Sequence, residues 1–245
     1  MANQSFVELI TPNEEQKTTL IIIGVYILAI LILWNVPILK TILYPFKLVT
    51  VALHEFGHAA AGCCTGAKIE AIEVDPEEGG VTRMRGGSPC CTLPAGYLGS
   101  SFFGALMIFA GFDVLASKVV SVIIGICLLA TLWWARNWLT RGVTLLFIGL
   151  IVVLWLVKDA VGLKYFVLFM GVMSCLYSLW DIVEDLVVRK VNESDATKFA
   201  KYTGCCVPQF WGLVWFLISL VFLAAAVLAG IAVFRDRASA SGPGQ

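Results

Sequence analysis

The sequence predicts an all-α polytopic membrane protein of about seven transmembrane helices, with a short β-hairpin after the second helix. Three observations lead there. Hydrophobic residues make up 59% of the 245-residue chain. Charged residues are only 14%, where soluble domains carry about 25%. The apolar residues also gather into runs near the ~20 residues that a helix needs to cross a hydrocarbon core of about 30 Å. A formal net charge of zero gives no basis for a nucleic-acid partner, and the partner that composition implies is the lipid bilayer.

Residues 1–18 read as an N-terminal tail. They contain Glu14 and Glu15 and lack a basic n-region. The apolar run that follows is longer than the ~7–15 residues of a signal-peptide core, so it is expected to stay as a membrane helix. That run, 19–39, is the first expected crossing. The others are 45–65, 92–112, 116–135, the short 142–157, 161–180 and 208–234. Together they make one integral-membrane domain over 19–234, with 235–245 as a C-terminal tail. The count places the later half of the second helix, the end of the sixth and the hairpin on the N-terminal side of the membrane. Basic residues lean slightly to that side, which favours a cytosolic N-terminus.

Residues 67–86 depart from this pattern. Ile69 and Ile72 to Val74 are β-prone, Asp75-Pro76-Glu77-Glu78-Gly79-Gly80 is a turn sequence, and Val81 to Met84 form a second short β-prone piece. An isolated hairpin is marginal in water, so this one is expected to pack on the membrane domain or to pair with an added strand.

Both histidines of the chain fall in His54-Glu55-Phe56-Gly57-His58, within the second apolar run. Residues i and i+4 share one helix face, so the two imidazoles can hold one zinc ion, with Glu55 beside them to take a proton from an activated water. Polar and ionisable residues at bilayer depth are costly and point to function. Catalytic zinc usually has three protein ligands and an open position. With no third histidine and no C-x-x-C spacing among eight cysteines, a carboxylate is the expected third ligand. The helix count brings Asp181, after Leu179-Trp180, to matching depth. Asp185, one turn on, would share its face as an alternative ligand or as a hydrogen-bond partner to one.

Other features have plainer readings beside functional ones. The pairs Cys63-Cys64, Cys90-Cys91 and Cys205-Cys206 are either ordinary membrane-edge cysteines or palmitoylation sites. Gly57 and the series Gly96, Gly99, Ser100, Ser101 and Gly104 suit close helix packing, with lining of the metal pocket as the alternative. In Asn192-Glu193-Ser194-Asp195-Ala196, Ser194 or Asp195 is expected to cap a helix, with a polar role at the site as the alternative.

The pattern resembles the site-2 protease family of intramembrane zinc metalloproteases, and within it the small branch found in bacteria and fungi. The resemblance runs from about Leu53 to Ser219. It is carried by His54-Glu55-Phe56-Gly57-His58-Ala59, Gly80-Val81-Thr82-Arg83 and Ala95-Gly96-Tyr97-Leu98-Gly99-Ser100, then by Trp180-Asp181 with Asp185, Ser194-Asp195-Ala196 and Phe210-Trp211-Gly212. It implies two histidines and a distant aspartate on zinc, and membrane-anchored protein substrates. Trp180-Asp181-Ile182 stands nearest to the family's Leu-Asp-Gly motif, which this chain lacks. The expected activity is therefore a zinc-dependent endopeptidase acting in or near transmembrane segments. The alternatives are an inactive protease-like protein that binds clients, which would not need Glu55, and a transporter or channel. Scarce charge in the other spans and the lack of an inverted repeat speak against the last.

Overall fold

A computed structural model describes residues 11–75, 79–157, 160–187 and 194–235, with the side chains of 185–187 left aside. The described helices are α1 (Glu14–Asn35), α2 (Lys40–Cys64), the single turn α3 (Pro89–Thr92), α4 (Ala95–Ala110), α5 (Val114–Trp134), α6 (Trp138–Leu156), α7 (Val161–Val187), α8 (Asp195–Thr203) and α9 (Pro208–Val233). The strands β1 (Lys68–Asp75) and β2 (Gly79–Arg85) lie between α2 and α3.

Local chemistry sets the helix starts. Asn13 and Gln16 form a capping box on α1. Asp113 caps α5, Asn137 caps α6 and Ser194 caps α8, each accepting a backbone N–H of the first turn. Pro208 opens α9, where a missing N–H costs nothing.

Among the described residues, six stretches are long and apolar enough to cross a membrane: Glu14–Asn35, Pro89–Ala110, Val114–Trp134, Trp138–Leu156, Val161–Glu184 and Pro208–Val233. The motif helix α2 is not among them. His54, Glu55 and His58, with Lys47, dilute its apolar character. The crossing helices turn apolar surface outward. On α5, Leu115, Val119, Val122, Ile126, Leu129 and Trp133 are exposed at helical spacing, while Val120, Ile124, Leu128 and Thr131 are buried. An exposed apolar stripe of that length on helix after helix is the surface of an integral membrane protein.

Two hydrogen bonds settle which end the site occupies. The Gln16 side chain donates to the Ile231 carbonyl at 2.9 Å, and that of Asn13 donates to the Arg235 carbonyl at 3.1 Å. The start of α1 and the end of α9 therefore share one side, as an even number of crossings requires. The motif lies at the opposite end, where His54 packs on Tyr97 and Tyr97 on Trp215, near the start of α9. Sixteen residues of α9 separate Trp215 from Ile231, about 24 Å at helical rise. The expectation that the site shares the side of the N-terminus is thus corrected. That count used α2 as a full crossing. Instead α1 runs parallel to α7, with Tyr26 on Phe169 and Trp34 on Tyr177, so α1 already reaches the site end and α2 finishes there too.

The centre is built on α4 and α7. A Cβ on Gly171 would stand 2.8 Å from the Ile108 nitrogen and 2.9 Å from the Gly104 carbonyl oxygen, so glycine is what lets these backbones touch. Nearer the site, Ser100 meets Ser178 at 2.7 Å, and Ser174 donates to the Ser100 carbonyl. On α7, Ser174, Ser178 and Ile182 mark the stripe that faces this seam.

The hairpin pairs Lys68 with Arg85 through Asp75 with Gly79, with an irregularity between Ile69 and Ala71. The turn residues 76–78 lie outside the described residues. The outer edge of β1 is occupied: Ile72 forms a parallel bridge with Ala135, the Val74 N–H donates to Thr140 Oγ1 and Asn137 donates to the Val74 carbonyl. Among the described residues, no strand pairs with the other edge of β2. The three exposed cysteine pairs also belong to the site end, at the close of α2, in α3 and after α8.

Candidate metal centre

The second half of α2 packs between α4 and the hairpin, and each neighbour requires a glycine. A Cβ on Gly57 would lie 2.3 Å from the Ala95 carbonyl oxygen. One on Gly96 would lie 2.3 Å from His54 Nε2 and 2.4 Å from His58 Nε2. Gly104 thus serves packing, whereas Gly96 leaves the room in which the imidazoles meet.

His54 and His58 are 9% and 8% exposed. His58 Nδ1 donates to the Thr92 carbonyl oxygen at 2.7 Å. A carbonyl can only accept, so the Nδ1 proton is fixed and Nε2 is left with a lone pair facing inward. That nitrogen stands 3.1 Å from His54 Nε2. The third group is the carboxylate of Asp195, the first residue of α8. Its Oδ2 lies 3.0 Å from His58 Nε2 and 3.3 Å from His54 Nε2.

Two imidazole nitrogens and a carboxylate oxygen converging in a space shielded from water repel one another unless a metal ion or a shared proton sits between them. Among the described residues, these three are the group of His, Cys, Asp or Glu side chains placed to share one ion. Three donors held at zinc's usual distances of about 2.0–2.1 Å in a tetrahedral arrangement stand about 3.3 Å apart. The observed spacings of 3.0, 3.1 and 3.3 Å match that triangle closely, so the residues fit such an ion.

Glu55, 4% exposed, has its carboxylate against the hairpin. Thr82 Oγ1 donates at 2.7 Å to Glu55 Oε2 and is 2.9 Å from the Glu55 carbonyl oxygen.

The structure does not bring Asp181 into the group; it brings Asp195. Asp181 sits on α7, which continues to Val187, and is not one of the three groups that converge. The Asp185 side chain lies outside the described residues, as do Asn192 and Glu193. In the Ser194-Asp195 pair, Ser194 is the helix cap, which frees Asp195 to point at the imidazoles. The signal for this was present. Ala196, Phe199 and Ala200 are an apolar face on a short helix, and that face docks on Tyr97, Trp211 and Trp215. The docking turns the adjoining carboxylate inward.

No curated protein and no solved structure matches the chain. A family model does: the one described as Peptidase M50B-like aligns with residues 23–226, a span that takes in the motif helix, the hairpin, α4, α7 and α8. The chain therefore belongs to the site-2 protease (M50) family, as a Peptidase M50B-like member.

Proposed function

We propose that this protein is a zinc-dependent intramembrane endopeptidase that hydrolyses peptide bonds in or near the transmembrane segments of membrane proteins. The observation that carries this reading is the convergence of His54, His58 and Asp195 on one point, with Glu55 on the same helix turn. His54, His58 and Asp195 are the proposed ligands. Zinc in such a set polarises a carbonyl and makes a water a stronger acid.

The chain's own groups do the rest. Glu55 accepts the proton of the attacking water and returns it to the leaving nitrogen. Thr92, through its carbonyl, keeps His58 in the tautomer that binds. Gly96 keeps the approach to the imidazoles clear of a side chain. A peptide bond within a helix has its amide groups already paired, so cleavage needs a locally extended substrate. The open edge of β2, which passes over Glu55, suits addition of such a strand.

The test is cleavage of a transmembrane reporter by the purified full chain in lipid. Glu55→Gln should retain zinc and lose cleavage, since it removes the base and leaves the ligands. Undiminished cleavage by Glu55→Gln rules the mechanism out.

A further inference from the structure

We propose that Thr82 is the positioning residue for Glu55, so that the hairpin which presents an edge to substrate also aims the catalytic base. This rests on the endopeptidase reading above and adds a residue to it.

The geometry comes from β2. Side chains two apart on a strand share a face, and in β2 the alternation of exposure puts Gly80, Thr82 and Met84 on one face, with Val81, Arg83 and Arg85 on the other. The first face lies along α2. A Cβ on Gly62 would stand 3.0 Å from the Met84 sulfur, and one on Gly80 would stand 2.5 Å from Glu55 Oε1. Between them, Thr82 Oγ1 donates to Glu55 Oε2 at 2.7 Å. Both carboxylate oxygens are thus held by the hairpin: Oε2 by a hydroxyl, Oε1 against the Gly80 backbone, where a side chain has no room.

A glutamate has three rotatable bonds, and its carboxylate must be at one place when the water is attacked. Side-chain freedom is costly to remove at the moment of reaction. The hydroxyl and the glycine remove it beforehand. The hairpin is itself fixed, because the outer edge of β1 is tied to Ala135, Asn137 and Thr140. Position therefore passes from the α5–α6 connection through β1 and β2 to Glu55. A strand added at the open edge of β2 would lie one strand spacing, about 4.8 Å, from the residue that aims the base.

Three variants test this: Thr82→Val, which keeps the β-branched shape and drops the hydroxyl, Thr82→Ser, which keeps the hydroxyl, and Glu55→Gln as reference. A hydrogen bond to a charged group is strong enough that Thr82→Val should lower kcat ~10- to 100-fold. KM should change less than ~2-fold, because ground-state binding is not touched, and zinc content should stay at the wild-type level. Thr82→Ser should restore most of kcat. Independently of activity, the infrared carboxylate band of Glu55, identified by difference against Glu55→Gln, should shift in Thr82→Val and return in Thr82→Ser. Wild-type kcat in Thr82→Val overturns the proposal, as does an equal loss of kcat and zinc in both Thr82 variants. Absence of any Glu55-dependent cleavage by the wild type, with the infrared shift present, overturns the endopeptidase reading and the role of Thr82 in it. An unshifted band with normal Glu55-dependent cleavage overturns the Thr82 proposal alone.

Discussion

At the scale of single residues, the account turns on atoms that are close because something else holds them there. His58 presents Nε2 inward because the Thr92 carbonyl takes its other proton. Asp195 is free to face both imidazoles because Ser194 does the capping. The room they share exists because position 96 has no side chain. Gly96→Ala would place a methyl 2.3–2.4 Å from both Nε2 atoms, which no rotamer of alanine can avoid. This variant should lose zinc and cleavage together, as read by metal analysis on protein that still purifies as a monodisperse species. Protons compete with metal for imidazole and carboxylate donors. Acidification should therefore release zinc with loss of activity, and return to neutral pH with added zinc should restore both; activity that survives with the metal removed would contradict the site.

The motif half of the site was legible at this scale and the rest was not. His54, Glu55 and His58 follow from one helix period, which needs no knowledge of the rest of the fold. The partner carboxylate lies 141 positions from His54, and it is chosen by docking rather than by periodicity. Depth along the membrane selected Asp181, and depth alone says nothing of which side of a helix faces inward. Asp181 is not among the three groups that converge on one point. The apolar face of α8 was the better guide, since burying Ala196 and Phe199 commits the direction of Asp195.

At the scale of elements, α2, α4 and α7 are held at backbone contact by glycine. Gly171→Ala would place its methyl 2.8–2.9 Å from backbone atoms of α4, where neither helix has a flexible side chain to move. Overpacking of that kind costs about 1–3 kcal/mol, so the variant should unfold at lower temperature in a thermal melt in detergent. Gly125 and Gly149 face open space inside helices, and alanine at either should not lower the melting temperature. The hairpin was readable in outline from its β-prone pieces and its turn sequence. Its purpose was not, because the contacts of Thr82 and Gly80 with Glu55 arise only when β2 is laid along α2.

At the scale of the whole molecule, the six stretches among the described residues that can cross a membrane bring the chain back to its starting side, and the site lies at the other end. The apolar runs located the long helices but not all of their ends: α1 is Glu14–Asn35 where 19–39 is expected, and α7 runs to Val187 where 180 is expected. The side of the membrane failed because α2 looked like one more crossing, while its polar motif is what separates it from the six. All three exposed cysteine pairs share the site end, and the start of α1 and the end of α9 lie at the opposite end. In sealed vesicles, a membrane-impermeant thiol reagent and a protease acting on a C-terminal tag should therefore report opposite sides. Labelling and tag removal from the same side would contradict this topology.

The most direct test of the central claim is the zinc content of the purified chain in three forms. The account predicts about one ion per chain for the wild type, a marked loss in Asp195→Asn, and wild-type content in Asp181→Asn. Full zinc in Asp195→Asn, or its loss in Asp181→Asn alone, would contradict the site built from His54, His58 and Asp195.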